Sequence, residues 1–61
     1  MRVYSDNNTL RIFNPENEDV VIYNALGVVL YSSDDSYIET NQKTGLYIVR
    51  YNKGSKKVIV K

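Results

Sequence analysis

The sequence predicts an all-β fold, a small antiparallel β-sandwich of about seven short strands with Ig-like or Greek-key connections. Three observations lead there. Apolar and polar residues alternate with period two in runs of about four to seven residues. Clusters of Asn, Asp, Gly and Pro separate these runs at spacings of roughly 8–12 residues. Helix has almost no support, because the longest stretch free of strand or turn residues is Asn41-Gln42-Lys43, less than one helical turn.

Met1–Ser5 is the first expected strand, closed by an Asp6-Asn7-Asn8 turn, since Asn and Asp bond their own backbone and tolerate left-handed φ. Asn7-Asn8-Thr9 also fits the N-glycosylation pattern, but the turn accounts for these residues better. Thr9–Phe13 is the second strand, with Leu10 and Ile12 on one face. Asn14–Glu18 is a loop, because Pro15 lacks the amide a central strand needs and biases Asn14 away from helix. Asp19–Asn24 and Val28–Ser32 are the third and fourth strands around an Ala25-Leu26-Gly27 turn. This most apolar pair is expected to form the middle of the fold, with Val20, Ile22 and Leu30 pointing inward.

Ser33-Asp34-Asp35 turns the chain into a short strand at Ser36–Glu39, with Ile38 inward, and Thr40–Thr44 is a polar loop. The closing hairpin joins Leu46–Tyr51 to Val58–Val60 through a three-residue loop, Asn52-Lys53-Gly54, in which Gly54 takes positive φ at low steric cost. The expected core is Leu10, Ile12, Val20, Ile22, Leu26, Leu30, Ile38, Leu46 or Tyr47, Val49 and Val58.

Sixty-one residues allow one domain, residues 1–61, and folding buries only about 60 % of the unfolded surface of so short a chain. With no Cys and no His, disulfides, thiolate or imidazole metal sites and Ser-His arrangements are excluded. The hydrophobic share of 43% and charged share of 25% are those of an ordinary globular domain, which argues against disorder.

The net charge of +1 hides a segregation. Residues 1–39 hold two arginines against seven acids, a balance of −5, while residues 40–61 hold six cations and no acid. Two readings stand. Lysines on the last strand guard an edge against aggregation, or they form a docking surface for an acidic partner. No charged n-region followed by an apolar h-region is present, and no apolar run reaches the ~20 residues of a membrane span. The chain therefore reads as a cytoplasmic protein or as a piece of a longer one.

Chemistry finds little footing. Tyr47 and Tyr51 share a strand face while Arg50 lies on the other, so an aromatic platform and its cation do not converge, and nucleic acid is not expected as a partner. Asp34-Asp35-Ser36 and Glu16-Asn17-Glu18-Asp19 lack the spacing of a calcium loop and read as solvated turns. Asp34 and Glu39 can be imagined as a carboxylate pair, but so short a chain leaves little room for a substrate pocket. No enzyme, cofactor or metal is expected.

Three segments carry a resemblance. Val20-Val21-Ile22-Tyr23-Asn24-Ala25-Leu26-Gly27-Val28-Val29-Leu30-Tyr31 resembles the V-x-I-Y-N-x-x-G-x-x-V core of the C-terminal sorting domains of the Bacteroidetes type IX secretion system. Thr44–Arg50 is similar to that family's x-G-x-Y-I-V-x segment, and Ser55–Lys61 to its terminal x-x-K-V-x-V-K strand. The three occur in the family's order over about Thr9–Lys61.

The resemblance implies the C-terminal module of a larger exported protein. Such a module folds in the periplasm, is recognised by translocation proteins of the periplasm and outer membrane, and directs its cargo to the cell surface without doing chemistry. Gly45, Tyr47, Val49, Lys56, Lys57, Val58, Val60 and Lys61 are then the expected recognition residues, with the last strand read partly by backbone pairing at an exposed edge. The alternative is a structural or adhesion-type β module that mediates protein–protein contact with no secretion role. Exposed edges also allow a homodimer through strand pairing.

Overall fold

A computed structural model describes all residues, 1–61. Seven strands follow in chain order: β1 (Arg2–Asp6), β2 (Thr9–Phe13), β3 (Val20–Asn24), β4 (Val29–Ser33), β5 (Tyr37–Asn41), β6 (Gly45–Tyr51) and β7 (Gly54–Val60). They form two antiparallel sheets, one of three strands in the order β1-β2-β5 and one of four in the order β4-β3-β6-β7. No helix is present. The all-β prediction and the strand count hold, and most strand ends shift by a residue or so. The largest boundary error is β7, which begins at Gly54 rather than Val58 because Tyr51 pairs directly with Gly54 across a two-residue loop, Asn52-Lys53. Gly54 does carry a positive φ, +148°.

Alternation puts one face of each sheet in the core. Leu10, Ile12 and Ile38 come from the three-stranded sheet, and Val20, Ile22, Tyr47, Val49, Val58 and Val60 from the four-stranded one. Met1, Val3 and Tyr51 pack at the margin. The choice between Leu46 and Tyr47 falls to Tyr47, and Val60 joins the core.

Two expected core residues are outside it. Leu26 is 88% exposed, at the tip of a turn that Asn24 builds by accepting the Leu26 and Val28 amides on its Oδ1, with Gly27 at φ +86°. Leu30 is exposed because β4 is an edge strand and not the middle of the fold. Tyr31 pairs with buried Ile22 and so faces inward, yet it is 39% exposed, so little of the smaller sheet covers β4. Leu30 also sits at a register shift, where the partners of Ile22 and Tyr23 skip from Tyr31 to Val29.

Two asparagines tie the sheets together at opposite ends of β2. Asn14 is fully buried, and its amide nitrogen donates to the carbonyls of Glu18 (2.8 Å) and Asp35 (3.0 Å) while its Oδ1 accepts from the Glu18 amide (3.1 Å). Its backbone amide donates to Ser36 and its carbonyl accepts from Asn17. Every hydrogen-bonding direction of the residue is thus used, joining the β2–β3 loop to the β4–β5 loop. At the other end, Asn7 (φ 48°) and Asn8 (φ 60°) form a two-residue hairpin loop of type I′ character between the paired Asp6 and Thr9. The Asn8 amide donates to the carbonyl of Lys61, and its carbonyl accepts from Gln42.

Asn14→Ala removes three hydrogen bonds and strands buried backbone groups, so a loss of about 2–4 kcal/mol is expected, read as a shift in the urea midpoint. Ile22→Ala, at the fully buried centre of β3, should cost about 2–5 kcal/mol and lower the melting temperature by at least about 10 °C. A drop of a degree or two in a thermal melt would contradict that placement of Ile22.

Candidate functional site

The four-stranded sheet is apolar on both faces. In β3, Val20 and Ile22 point into the core while Val21 and Tyr23 point out. In β6, Tyr47 and Val49 point in while Leu46 and Ile48 point out; in β7, Val58 and Val60 point in and Ile59 out. The register assembles the outward set into a patch. Leu46 lies opposite Ile59, Ile48 lies between Tyr23 and Lys57, and Tyr23 lies opposite Val29. Val21, Tyr23 and Ile48 are half-buried, whereas Leu46, Val29 and Ile59 are 41%, 56% and 61% exposed. No other layer of the molecule covers this face.

Two cations and one acid border the patch, the acid being Asp19, exposed just before β3 and on one surface with Val21, Tyr23 and Arg50. Arg50 lies between Val21 and Ser55, and Lys57 lies beside Ile48. Both are exposed, and neither forms a salt bridge, the one ion pair of the molecule being Arg11–Glu39 on the other sheet. An apolar sheet face of this kind, left open to solvent, has the composition of a protein contact surface. Arg50 lies on the outer face, and Tyr47 and Tyr51 on the inner, so cation and rings do diverge.

The expected recognition residues divide in two. Tyr47, Val49, Val58 and Val60 are core residues, and the Tyr47 hydroxyl donates to the Lys43 carbonyl at 2.6 Å. Lys56, Lys57 and Lys61 are exposed on the folded domain. Lys57 is on the apolar face, Lys56 lies opposite buried Val49 at the inner margin, and Lys61 follows the end of β7. The outer edge of β7 is partly occupied, because the carbonyls of Ile59 and Lys61 accept from the Ser5 hydroxyl (2.7 Å) and the Asn8 amide (3.0 Å). The outer edge of β7 before Ile59 carries no such tie.

Gly45 opens β6 opposite Val60, and it is not among the residues with positive φ. A Cβ placed there would meet the Tyr47 ring at 3.8 Å, an ordinary contact. Folding therefore does not demand glycine at this position.

Val21, Tyr23, Val29, Leu46, Ile48 and Ile59 were absent from the expected site. The available signal was the lack of alternation: Val20–Tyr23, Leu46–Val49 and Val58–Val60 are apolar at every position, the pattern of strands covered on both faces. No helix is long and apolar enough to cross a membrane.

Gly45→Ala should leave stability unchanged or raise it by up to about 1 kcal/mol, since the unfolded chain loses freedom and the folded one gains no strain. A fall in the urea midpoint would show that the glycine is structural. Comparison of the chain with family models, with curated proteins and with solved structures finds no match.

Proposed function

We propose that this chain is a non-catalytic C-terminal sorting module, which directs a larger cargo protein across the outer membrane to the cell surface through contact with secretion-machinery proteins. The observation that carries the reading is the uncovered apolar face of the four-stranded sheet, with Arg50 and Lys57 standing among its apolar side chains and Asp19 at its margin. A tag must be recognised without performing chemistry, and a rigid face that presents buried-type residues to solvent meets that need. The resemblance of Val20–Tyr31, Thr44–Arg50 and Ser55–Lys61 to type IX sorting domains supplies the class of partner. The same face would serve an adhesion-type contact module, and the two readings separate on export.

The test uses a full-length cargo that carries this domain. Lys57→Glu and Ile59→Ser both lie on the outer face, away from the core, so the domain should remain folded. Loss of one anchor at a protein interface typically costs about tenfold in affinity. Surface delivery of the cargo is accordingly expected to fall by about that factor in each variant, with the cargo retained in the periplasm. Normal delivery in both variants, with circular dichroism showing intact sheets, would overturn the sorting role and leave the contact-module reading.

A further inference from the structure

The three-stranded sheet carries a different surface. Alternation sends Tyr4, Arg11, Phe13, Tyr37 and Glu39 outward from β1, β2 and β5. The register places Phe13 opposite Tyr37, and Arg11 between Tyr4 and Glu39. Three rings widely separated in the chain thereby form a row. The Tyr4 and Phe13 centroids are 5.9 Å apart at an interplanar angle of 28°, and those of Phe13 and Tyr37 are 5.2 Å apart at 43°. Tyr4 and Phe13 are nearly parallel but too far apart for face-to-face contact, so they overlap like shingles. Each of the three aromatic residues remains 41% exposed.

A polar cluster is fixed beside the row. Arg11 Nη1 donates to the Tyr37 hydroxyl at 2.8 Å and to Glu39 Oε1 at 2.6 Å, and the Tyr37 hydroxyl donates to the same Oε1 at 2.7 Å. The Arg11 guanidinium holds its proton more firmly than usual, first through its bond to Tyr37 and further through the charge of Glu39. All three internal bonds fall on Nη1, the hydroxyl and Oε1. Arg11 Nε and Nη2 remain as donors, and Glu39 Oε2 as an acceptor, with no partner in the chain.

These features select the ligand class. Arg2 and Arg11 are balanced on this face by Asp6 and Glu39, so a polyanion would meet two carboxylates and no net positive field. A neutral ligand with an apolar face and a rim of hydroxyls fits instead. Its C–H face can lie on the rings, while neighbouring hydroxyls accept from a guanidinium N–H and donate to a carboxylate oxygen.

We propose that the outer face of the three-stranded sheet is a binding site for a neutral glycan chain, stacked on Tyr4, Phe13 and Tyr37 and hydrogen-bonded by Arg11 and Glu39. The site lies on the opposite sheet from the docking face and does not depend on the sorting role.

The experiment is a two-dimensional amide NMR titration of the 61-residue chain with cellohexaose, xylohexaose, mannohexaose and laminarihexaose in turn, and with a ten-nucleotide oligo-dT as the polyanion. At least one hexasaccharide is expected to shift the amides of Tyr4, Phe13 and Glu39 while leaving Ile48 in place. Phe13→Ala should weaken that binding about tenfold or more. Glu39→Gln, which keeps the shape of the side chain but not its charge, should weaken it while the remaining spectrum is preserved. Four features would each overturn the site: silence from all four sugars, shifts confined to the other sheet, equal binding by both variants, or tighter binding of oligo-dT to these residues. Shifts that grow with protein concentration alone would assign the face to self-association and equally remove the glycan.

Discussion

The buried amide of Asn14 is the constraint on which the rest of the molecule rests. Hydrogen bonds within a sheet hold its own strands together, but nothing in them fixes one sheet over the other. With no disulfide available, that task falls to the core and to the crossings between sheets. Asn14 stands where β2 leaves the smaller sheet, and through Asp35 and Ser36 it grips the segment that returns from β4 to β5. An amide suits the position because it donates twice and accepts at once. A carboxylate there would face two carbonyl oxygens with no proton to offer, and an aliphatic side chain would strand the Glu18 amide and the two carbonyls. Asn17 adds a parallel tie, its side chain donating to the Asp34 carbonyl at 2.9 Å from a backbone at φ 52°.

The other end of β2 repeats the solution with different atoms. Asn8, in left-handed conformation, gives its amide to Lys61, its carbonyl to Gln42 and its side chain to Thr44. The final residue and the crossing into β6 are thereby fastened to one hairpin turn. β2 is thus bracketed by two asparagines whose partners come from every other crossing in the chain. This compensates for a core of nine residues, small enough that packing alone leaves little margin.

Much of this architecture was legible in the residues, and the parts that were not share a physical reason. Period-two alternation located the strands, and Asn7-Asn8 announced its turn through a backbone preference that is local. Asn14 gave only a local signal, a residue before proline, while its real role depends on Asp35 and Ser36 far along the chain. Leu30 was misplaced because alternation says which side chains share a face but not where a strand lies in the sheet order. The rings of Tyr4, Phe13 and Tyr37 could not be grouped from sequence, since only the register of β1, β2 and β5 brings them together. The apolar outer face could have been anticipated, because strands without alternation have two faces to cover and so small a fold supplies only one partner layer.

In the proposed role, the closing strand divides folding and recognition between alternate residues. Val58 and Val60 point inward and are committed to the core, while Lys57 and Ile59 point outward and contribute nothing to it. A partner that binds the folded domain can therefore select on Lys57 and Ile59 without placing any demand on Val58 or Val60. Pairing of a partner strand along the end of β7 would have to displace the bonds that Ser5 and Asn8 already make to Ile59 and Lys61, and so would set recognition against stability. Docking onto the face leaves both bonds intact. For a domain with so little stability to spare, contact through the side chains of the four-stranded sheet is the less costly route.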